Sequence, residues 1–331
     1  MSEVIHQDMT IKLPKIIGNY EIMDNIGSGS VGIVYSVLNV RTNETLACKV
    51  VSRDKLKDRD TLESFEQELR IHQSLKHPNI VNIFDVVYLE DHIMIIMELG
   101  TQGDLLTYLS SGRCVSTSIF RRVLKDVLKG VSYLHSRNIA HGDIKPENIL
   151  LGDDYQAKII DFGSCEIVKG VPSKHSTLTY SAPEILQGNC KDRRKADVWA
   201  IGILICVVLS GFFPWASDKD SDLIEEIKAG KLALPSSIPQ GAINMIELCT
   251  RIDPEERPTI NELLKNPWLN GSPVLNKEIK SCNVIRSLKN QGPLIIRPNK
   301  KLCQSVKNVS KVFDKANIQE SETFPSILGP L

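Results

Sequence analysis

Three groups of residues in this chain have types and spacings suited to handling phosphate. Gly27, Ser28, Gly29, Ser30, Val31 and Gly32 read G-x-G-x-x-G. A strand-like stretch, not a helix, follows them, which disfavours a dinucleotide-binding turn. Strand, loop and strand suit a flap whose backbone N–H groups cover phosphates, with a plain glycine hairpin as the bland alternative. Fifteen residues after Val34, Lys49 lies among Leu46, Ala47, Val50 and Val51. An ammonium on a largely buried strand needs a partner. Glu68, on the next helix, is the candidate, and the ion pair would hold the lysine against an anion. The third group is His141-Gly142-Asp143-Ile144-Lys145-Pro146-Glu147-Asn148, with Asp161-Phe162-Gly163 beginning thirteen residues beyond Asn148. G-x-x-x-x-G-K-[ST] is missing, which excludes a P-loop NTPase.

The elements that must position these residues are legible as periodicity. Residues 20–51 alternate in short β-branched stretches, predicting strand, turn, strand, turn, strand. Residues 60–75 place Leu62, Phe65, Leu69 and Leu75 on one helical face, with Asp60 as the cap and His77-Pro78-Asn79 as the stop. Two β-rich runs around Glu90-Asp91 predict a hairpin. After Gly100 helical periodicity dominates at 104–110, 117–137, 195–210, 220–229, 240–251 and 259–265, with short β stretches at 149–151 and 157–160. A β-rich lobe before an α-rich lobe is an α+β arrangement with a cleft between.

Composition bounds the function. The chain has 331 residues, 42% hydrophobic and 24% charged, which is globular composition rather than wholesale disorder. Lysine plus arginine and aspartate plus glutamate each total 40, so charge gives no argument for nucleic acid or a membrane surface as the main partner. The balance is uneven: residues 270–331 carry ten Lys/Arg against four Asp/Glu, a net +6, and residues 1–19 sum to zero, so 20–269 carries −6. Eight scattered cysteines without C-x-x-C read as reduced thiols of a cytoplasmic or nuclear protein. The first 15 residues lack an apolar signal core, and the longest apolar run, 198–209, is too short to span a bilayer and reads as a buried helix.

Further along come Thr177-Leu178-Thr179-Tyr180-Ser181-Ala182-Pro183-Glu184, Asp197-Val198-Trp199-Ala200-Ile201-Gly202 and Arg257-Pro258-Thr259. With these in order, residues 20–269 resemble a eukaryotic-type protein kinase of the serine/threonine type, because Lys145 sits two residues past Asp143. The segment around 202–215 resembles the calmodulin-dependent and AMP-activated group. The resemblance implies a bilobal fold, with an N-lobe at 20–98 and a C-lobe at 101–269. It also implies ATP with Mg²⁺, for which Mn²⁺ can substitute. Phosphoryl transfer needs positioning and charge neutralisation more than covalent machinery. Lys49 would bind the α/β-phosphates with Glu68 orienting it, and Asp161 and Asn148 would hold the metal. Asp143 would receive or orient the substrate hydroxyl proton, Lys145 would neutralise the γ-phosphate, and Thr177 would align Asp143. Ala47, Val34 and Leu150 would sandwich adenine. Met97 would guard the back pocket, and the backbone from Glu98 to Gly100 would bond the base. Asp197 would hold the 141–143 backbone, Glu184 would pair with Arg257, and Phe162, His141, Ile83 and His72 would stack between the lobes.

The pattern departs from the family at Gly142, where most members have an arginine that joins a pocket for an activation-loop phosphate. Ser173 aligns with that phosphosite. With Glu166 nearby, the pocket is expected to repel a phosphate, so activity is not expected to need it. Asp104 and Glu147 align with carboxylates that receive an arginine three residues before the target in basophilic relatives. The competing function is a pseudokinase acting as a nucleotide-binding scaffold; it calls for loss of Lys49, Asp143 or Asp161, and all three are present. Residues 1–19 read as an N-terminal extension and 270–331 as a basic, mostly flexible tail. The tail's charge, and Lys307 three before Ser310, raise an intramolecular contact with Ser310 as pseudosubstrate or autophosphorylation site. A calmodulin-target helix there is cut short by Pro293.

Overall fold

The computed structural model describes residues 13–28, 32–113, 115–167, 177–217 and 219–271. Its first part contains strands β1 (Ile16–Ile17), β2 (Tyr20–Ser28), β3 (Gly32–Asn39) and β4 (Glu44–Ser52), helix α1 (Arg59–Ser74), and strands β5 (Ile83–Tyr88) and β6 (His92–Met97). The six strands form one antiparallel sheet in the order β1-β2-β3-β4-β6-β5. Gly32 is required by a close approach: a Cβ there would stand 2.3 Å from the Val50 carbonyl oxygen. The hairpin closes onto β4 because no side chain intervenes.

Helix α1 lays Phe65 and Leu69 against Val51, Leu56, Ile83, Ile93 and Ile95 of the sheet side. Its cap is Asp58, whose Oδ2 accepts from the Thr61 backbone N–H at 3.0 Å and from the Thr61 hydroxyl at 2.9 Å. This corrects the expected cap at Asp60, which lies inside the first turn. Leu62 is 37% exposed and falls off the buried stripe, which runs through Phe65, Leu69 and His72. Within residues 13–19, Ile17 is buried and β1 edges the sheet.

The second part contains α2 (Leu105–Ser110), α3 (Thr117–Ser136), β7 (Ile139–Ala140), β8 (Ile149–Leu151), β9 (Ala157–Ile159), β10 (Glu166–Ile167), α4 (Pro183–Leu186), α5 (Arg193–Ser210), α6 (Asp220–Lys228), α7 (Gln240–Cys249), α8 (Ile260–Leu264) and α9 (Pro267–Asn270). β8 pairs with β9 and β7 with β10, both antiparallel. The expected α+β bilobal architecture is therefore present. Helix α5 buries 197–209 without interruption, as an all-round apolar helix must. Gly211, at φ 85°, ends it in the left-handed conformation. Among the described residues no helix is long and apolar enough to cross a membrane.

The two lobes share packing. Ile71, Leu75 and Ile80 belong to the same buried cluster as the α3 and α5 side chains. Backbone bonds reinforce this, from Ile159 N–H to Asn79 O (2.9 Å) and from Val81 N–H to Ile159 O (3.1 Å). The C-lobe interior also contains the expected Glu184–Arg257 pair, with nitrogen–oxygen distances of 2.6 and 2.8 Å. The remaining guanidinium donors go to the carbonyls of Arg251, Lys195 and Ile252, and Arg257 lies 5.1 Å from the centroid of the Trp199 ring. Replacing Arg257 by Ala strands the buried Glu184 carboxylate. Urea unfolding should show a loss of about 3–5 kcal/mol with an unchanged denaturant slope.

Candidate active site

The site is organised from beneath by Asp197, on the first turns of α5. Its Oδ2 accepts from the His141 N–H at 2.9 Å, and its Oδ1 from the Gly142 N–H at 2.8 Å. His135 Nε2 stands 2.8 Å from Oδ2. Gly142 takes φ +79°, and a Cβ there would lie 2.5 Å from the Ser164 carbonyl oxygen. Glycine thus lets the loop lie flat against the segment that follows Asp161. His135 was not singled out from the sequence, because its partner is 62 residues away and no local pattern marks it.

Asp143, Lys145, Asn148 and Thr177 are brought together by this loop. The Asn148 side-chain amide donates to Asp143 O (2.8 Å) and Asp143 Oδ2 (2.9 Å). Thr177 donates its hydroxyl to Asp143 Oδ1 at 2.9 Å and accepts from Lys145 Nζ at 2.7 Å. Lys145 Nζ is also 2.6 Å from Asp143 Oδ2. One carboxylate is thus fixed by three side chains, one of them a cation.

Across the cleft, Lys49 on β4 pairs with Glu68 on α1 at 3.3 Å. Burial pulls the ammonium down, but Glu68 and Asp161 outweigh it and leave Lys49 above the ordinary lysine value. The Asp161 carboxyl is pushed up by its surroundings and pulled further down by Lys49, the Gly163 N–H, His141 and Lys145, so it ends below the ordinary aspartate value. Asp161 takes φ 63°, a conformation aspartate tolerates better than most residues. Behind it, Phe162 contacts His72 (ring centroids 4.4 Å apart) and His141 (5.4 Å). Burial holds His72 down to about 4, and its Nε2 lies 2.7 Å from Val81 O. It is a neutral, satisfied core histidine.

The nucleotide side is assembled from the sheet. Gly27 and Ser28 pair with Val34 and Ile33, so the glycine segment is a hairpin between strands; Gly29, Ser30 and Val31 lie outside the described residues. Val34 pairs with Lys49 and Ala47 with Met97 in register. Leu150, on β8 from the other lobe, pairs with Lys158 and bridges to Asp104. The Glu98 N–H goes to Asn82 O and the Gly100 carbonyl accepts from the Gly103 N–H. The Glu98 side chain is not part of a base pocket: it meets Lys158 at 2.5 Å.

A divalent metal fits the donors present. Asp161 keeps an ionised carboxylate, and Asn148 spends its amide nitrogen on Asp143, which leaves its side-chain oxygen as a hard ligand.

On the outer side, Asp104 corrects an expectation. Its carboxylate caps α2, accepting from the Thr107 N–H at 2.8 Å and hydroxyl at 2.6 Å, and the residue is 3% exposed, so it is not an open receptor for an arginine. Glu147 differs: its Oε2 is buried without a hydrogen-bond partner. Burial pushes the Glu147 carboxyl up, and the Asp104 and Asp143 charges add to the rise. Glu166 corrects a second expectation. It does not stand as an unmatched repulsive charge, because Arg193 Nε lies 2.6 Å from its Oε2. Ser173, Ser310 and the 272–331 part of the tail lie outside the described residues.

Cations on both sides of the cleft with a single restrained carboxylate between them make a site for moving a phosphoryl group onto a hydroxyl. Comparison with known proteins gives the same class. The protein kinase domain family matches residues 20–269, and the chain belongs to that family. It is 30% identical over 280 residues to the "Probable serine/threonine-protein kinase MARK-A" of Dictyostelium discoideum, covering 83% of this chain and 26% of that protein. It is 31% identical over 261 residues to the sucrose non-fermenting protein kinase 1 of Fusarium virguliforme, with 78% and 37% covered. An SNF1-related protein kinase catalytic subunit alpha of Arabidopsis thaliana, KIN12, is 28% identical over 315 residues, with 94% and 62% covered. These names agree with the expected likeness to the AMP-activated group. The chain spans 26% to 62% of the length of these relatives.

Thr177→Val removes both hydroxyl bonds to the Asp143–Lys145 pair while keeping the shape. Steady-state kinetics should show kcat down about 10- to 100-fold with KM for nucleotide little changed, and Thr177→Ser should restore most of it.

Proposed function

We propose that this chain transfers the γ-phosphate of ATP to serine and threonine hydroxyls of protein substrates, with Mg²⁺ and with Mn²⁺ as a substitute. The observation that carries this reading is the closed triangle of Asp143, Lys145 and Thr177 opposite a formed Lys49–Glu68 pair. Asp143 is held where it can orient an incoming hydroxyl and take its proton. Lys145 stands beside it to meet charge as the phosphoryl group moves. Lys49 grips the phosphates that stay behind. The bound metal supplies further neutralisation of phosphate charge, held by Asp161 and Asn148. A nucleotide-binding scaffold needs no such restraint on Asp143.

The test is incorporation of labelled phosphate from ATP into a generic basic protein. Asp143→Asn should abolish incorporation while nucleotide binding persists. Incorporation that survives this change would overturn the role given to Asp143 and with it the proposal.

The preference for a basic residue three before the target belongs to the same proposal. Glu147 supports it, since it is less buried than Asp104 and its carboxylate adds negative charge beside Asp104 and Asp143. Asp104 adds negative charge from below rather than a contact. Because the free Glu147 carboxyl is raised, kcat/KM for an arginine-bearing peptide should fall with decreasing pH through a value above the ordinary glutamate range. The sign follows from protonation removing the charge that attracts arginine. Glu147→Gln should lower kcat/KM at neutral pH by about tenfold and remove that pH step.

A further inference from the structure

Strand β10 is tied to α5 by a charge pair outside the chemistry described so far. Glu166 stands in β10 opposite Ala140 of β7, and β7 runs directly into His141 and Gly142. Its Oε2 lies 2.6 Å from Nε of Arg193, the first residue of α5, with the two side chains 10% and 15% exposed. The contact is an ion pair rather than an aligned hydrogen bond. Burial pushes the Glu166 carboxyl up by more than Arg193 pulls it down, so it ends above the ordinary glutamate value.

The position of this pair gives it a consequence for the reaction. Arg193 and Asp197 are four residues apart on α5, hence on one face of the helix. Asp197 grips the backbone that carries Asp143, and Arg193 grips β10, which pairs with the strand leading into that backbone. A single buried helix therefore holds the catalytic loop twice, directly through Asp197 and indirectly through β10 and β7. Between helix and loop lies a small cavity of about 20 Å³ lined by Gly142, Asp143, Thr177, Arg193 and Asp197. Gly142 brings no charge to this place, and the charge that Arg193 brings is matched by Glu166.

We propose that Glu166 and Arg193 are positioning residues for phosphoryl transfer, forming a built-in clamp that holds β10 against β7 and, through β7, the catalytic loop. The clamp therefore needs no modification to be closed. Neither residue touches the reacting groups; both act through the placement of the loop that carries Asp143. This rests on the kinase reading.

The experiment uses the full chain as wild type, E166Q, E166R, R193E and the E166R/R193E double variant. Peptide phosphorylation gives kcat, and displacement of a fluorescent nucleotide gives nucleotide affinity separately. Turnover by the wild type bears on the kinase reading alone. Each single reversal should lower kcat at least about thirtyfold with nucleotide Kd changed less than about threefold, since small misplacements near the chemistry are that costly. The double variant should recover at least about tenfold of the loss, E166Q should be intermediate, and phosphatase treatment of the wild type should leave kcat unchanged. Singles that keep kcat, a double no better than the singles, or a wild type inactivated by phosphatase would overturn the clamp. Were the wild type inactive, amide exchange at 139–142 and 164–167 reads the same question. The singles must speed exchange there about tenfold or more and the double must slow it again, and equal exchange in all variants overturns the proposal.

Discussion

The carboxylate of Asp197 has 1% of its side chain exposed, and it spends both oxygens on the loop that carries the chemistry. An anion so placed is tolerated only while its hydrogen bonds are complete. Two consecutive backbone N–H groups and the His135 ring complete them. The constraint runs both ways. The charge requires the loop, and the loop, with Gly142 at φ +79°, is held in a left-handed turn by that charge. Because α5 is apolar on every side, its position is set by the whole C-lobe core, and the loop inherits that rigidity.

Coupling between the lobes has a different physical character. Helix α1 faces the sheet with Phe65 and Leu69, yet its end and the following loop pack into the C-lobe core through Ile71, Leu75 and Ile80. Glu68, beside Leu69 on the same helix, makes the ion pair to Lys49. Neutral His72, one turn further, is bonded to Val81 O and packed on Phe162, so the residue after Asp161 senses where α1 sits. The placement of Lys49 and that of Asp161 are therefore not independent.

Local pattern made most of the elements legible. The strand–turn alternation of 20–51, the hairpin at Glu90-Asp91 and the six C-lobe helices follow from periods of two and 3.6 that tertiary packing did not override. Boundaries moved where side chains compete to cap, as Asp58 did against Asp60. The two-residue strands β7 and β10 and the single-turn helices α4 and α9 are too short to carry a period. Ordered motifs made the catalytic residues legible, but not the partners of the charged ones. Asp104 reads as an accessible acid until the Thr107 bonds appear, and Glu166 reads as a repulsive charge until Arg193 is seen beside it. In each case charge is visible in the sequence, while its compensation depends on contacts the sequence does not index.

That distinction explains how the cleft tolerates its own charges. Lys49 and Lys145 are each pre-paired with a carboxylate, Glu68 and Asp143 respectively. Cations left bare in a partly desolvated cleft would shift towards the neutral amine, and a neutral amine attracts no phosphate. The net rise at Lys49 reflects this protection, because Glu68 and Asp161 more than offset the effect of burial. A phosphate entering the cleft does not have to create positive charge there; it has to share cations already ionised and aimed. Sharing is less costly than recruitment, since the lysine side chains lose little further freedom when they exchange part of one anion for another. The carboxylates that hold these cations are thus part of the binding site even where they never touch the ligand.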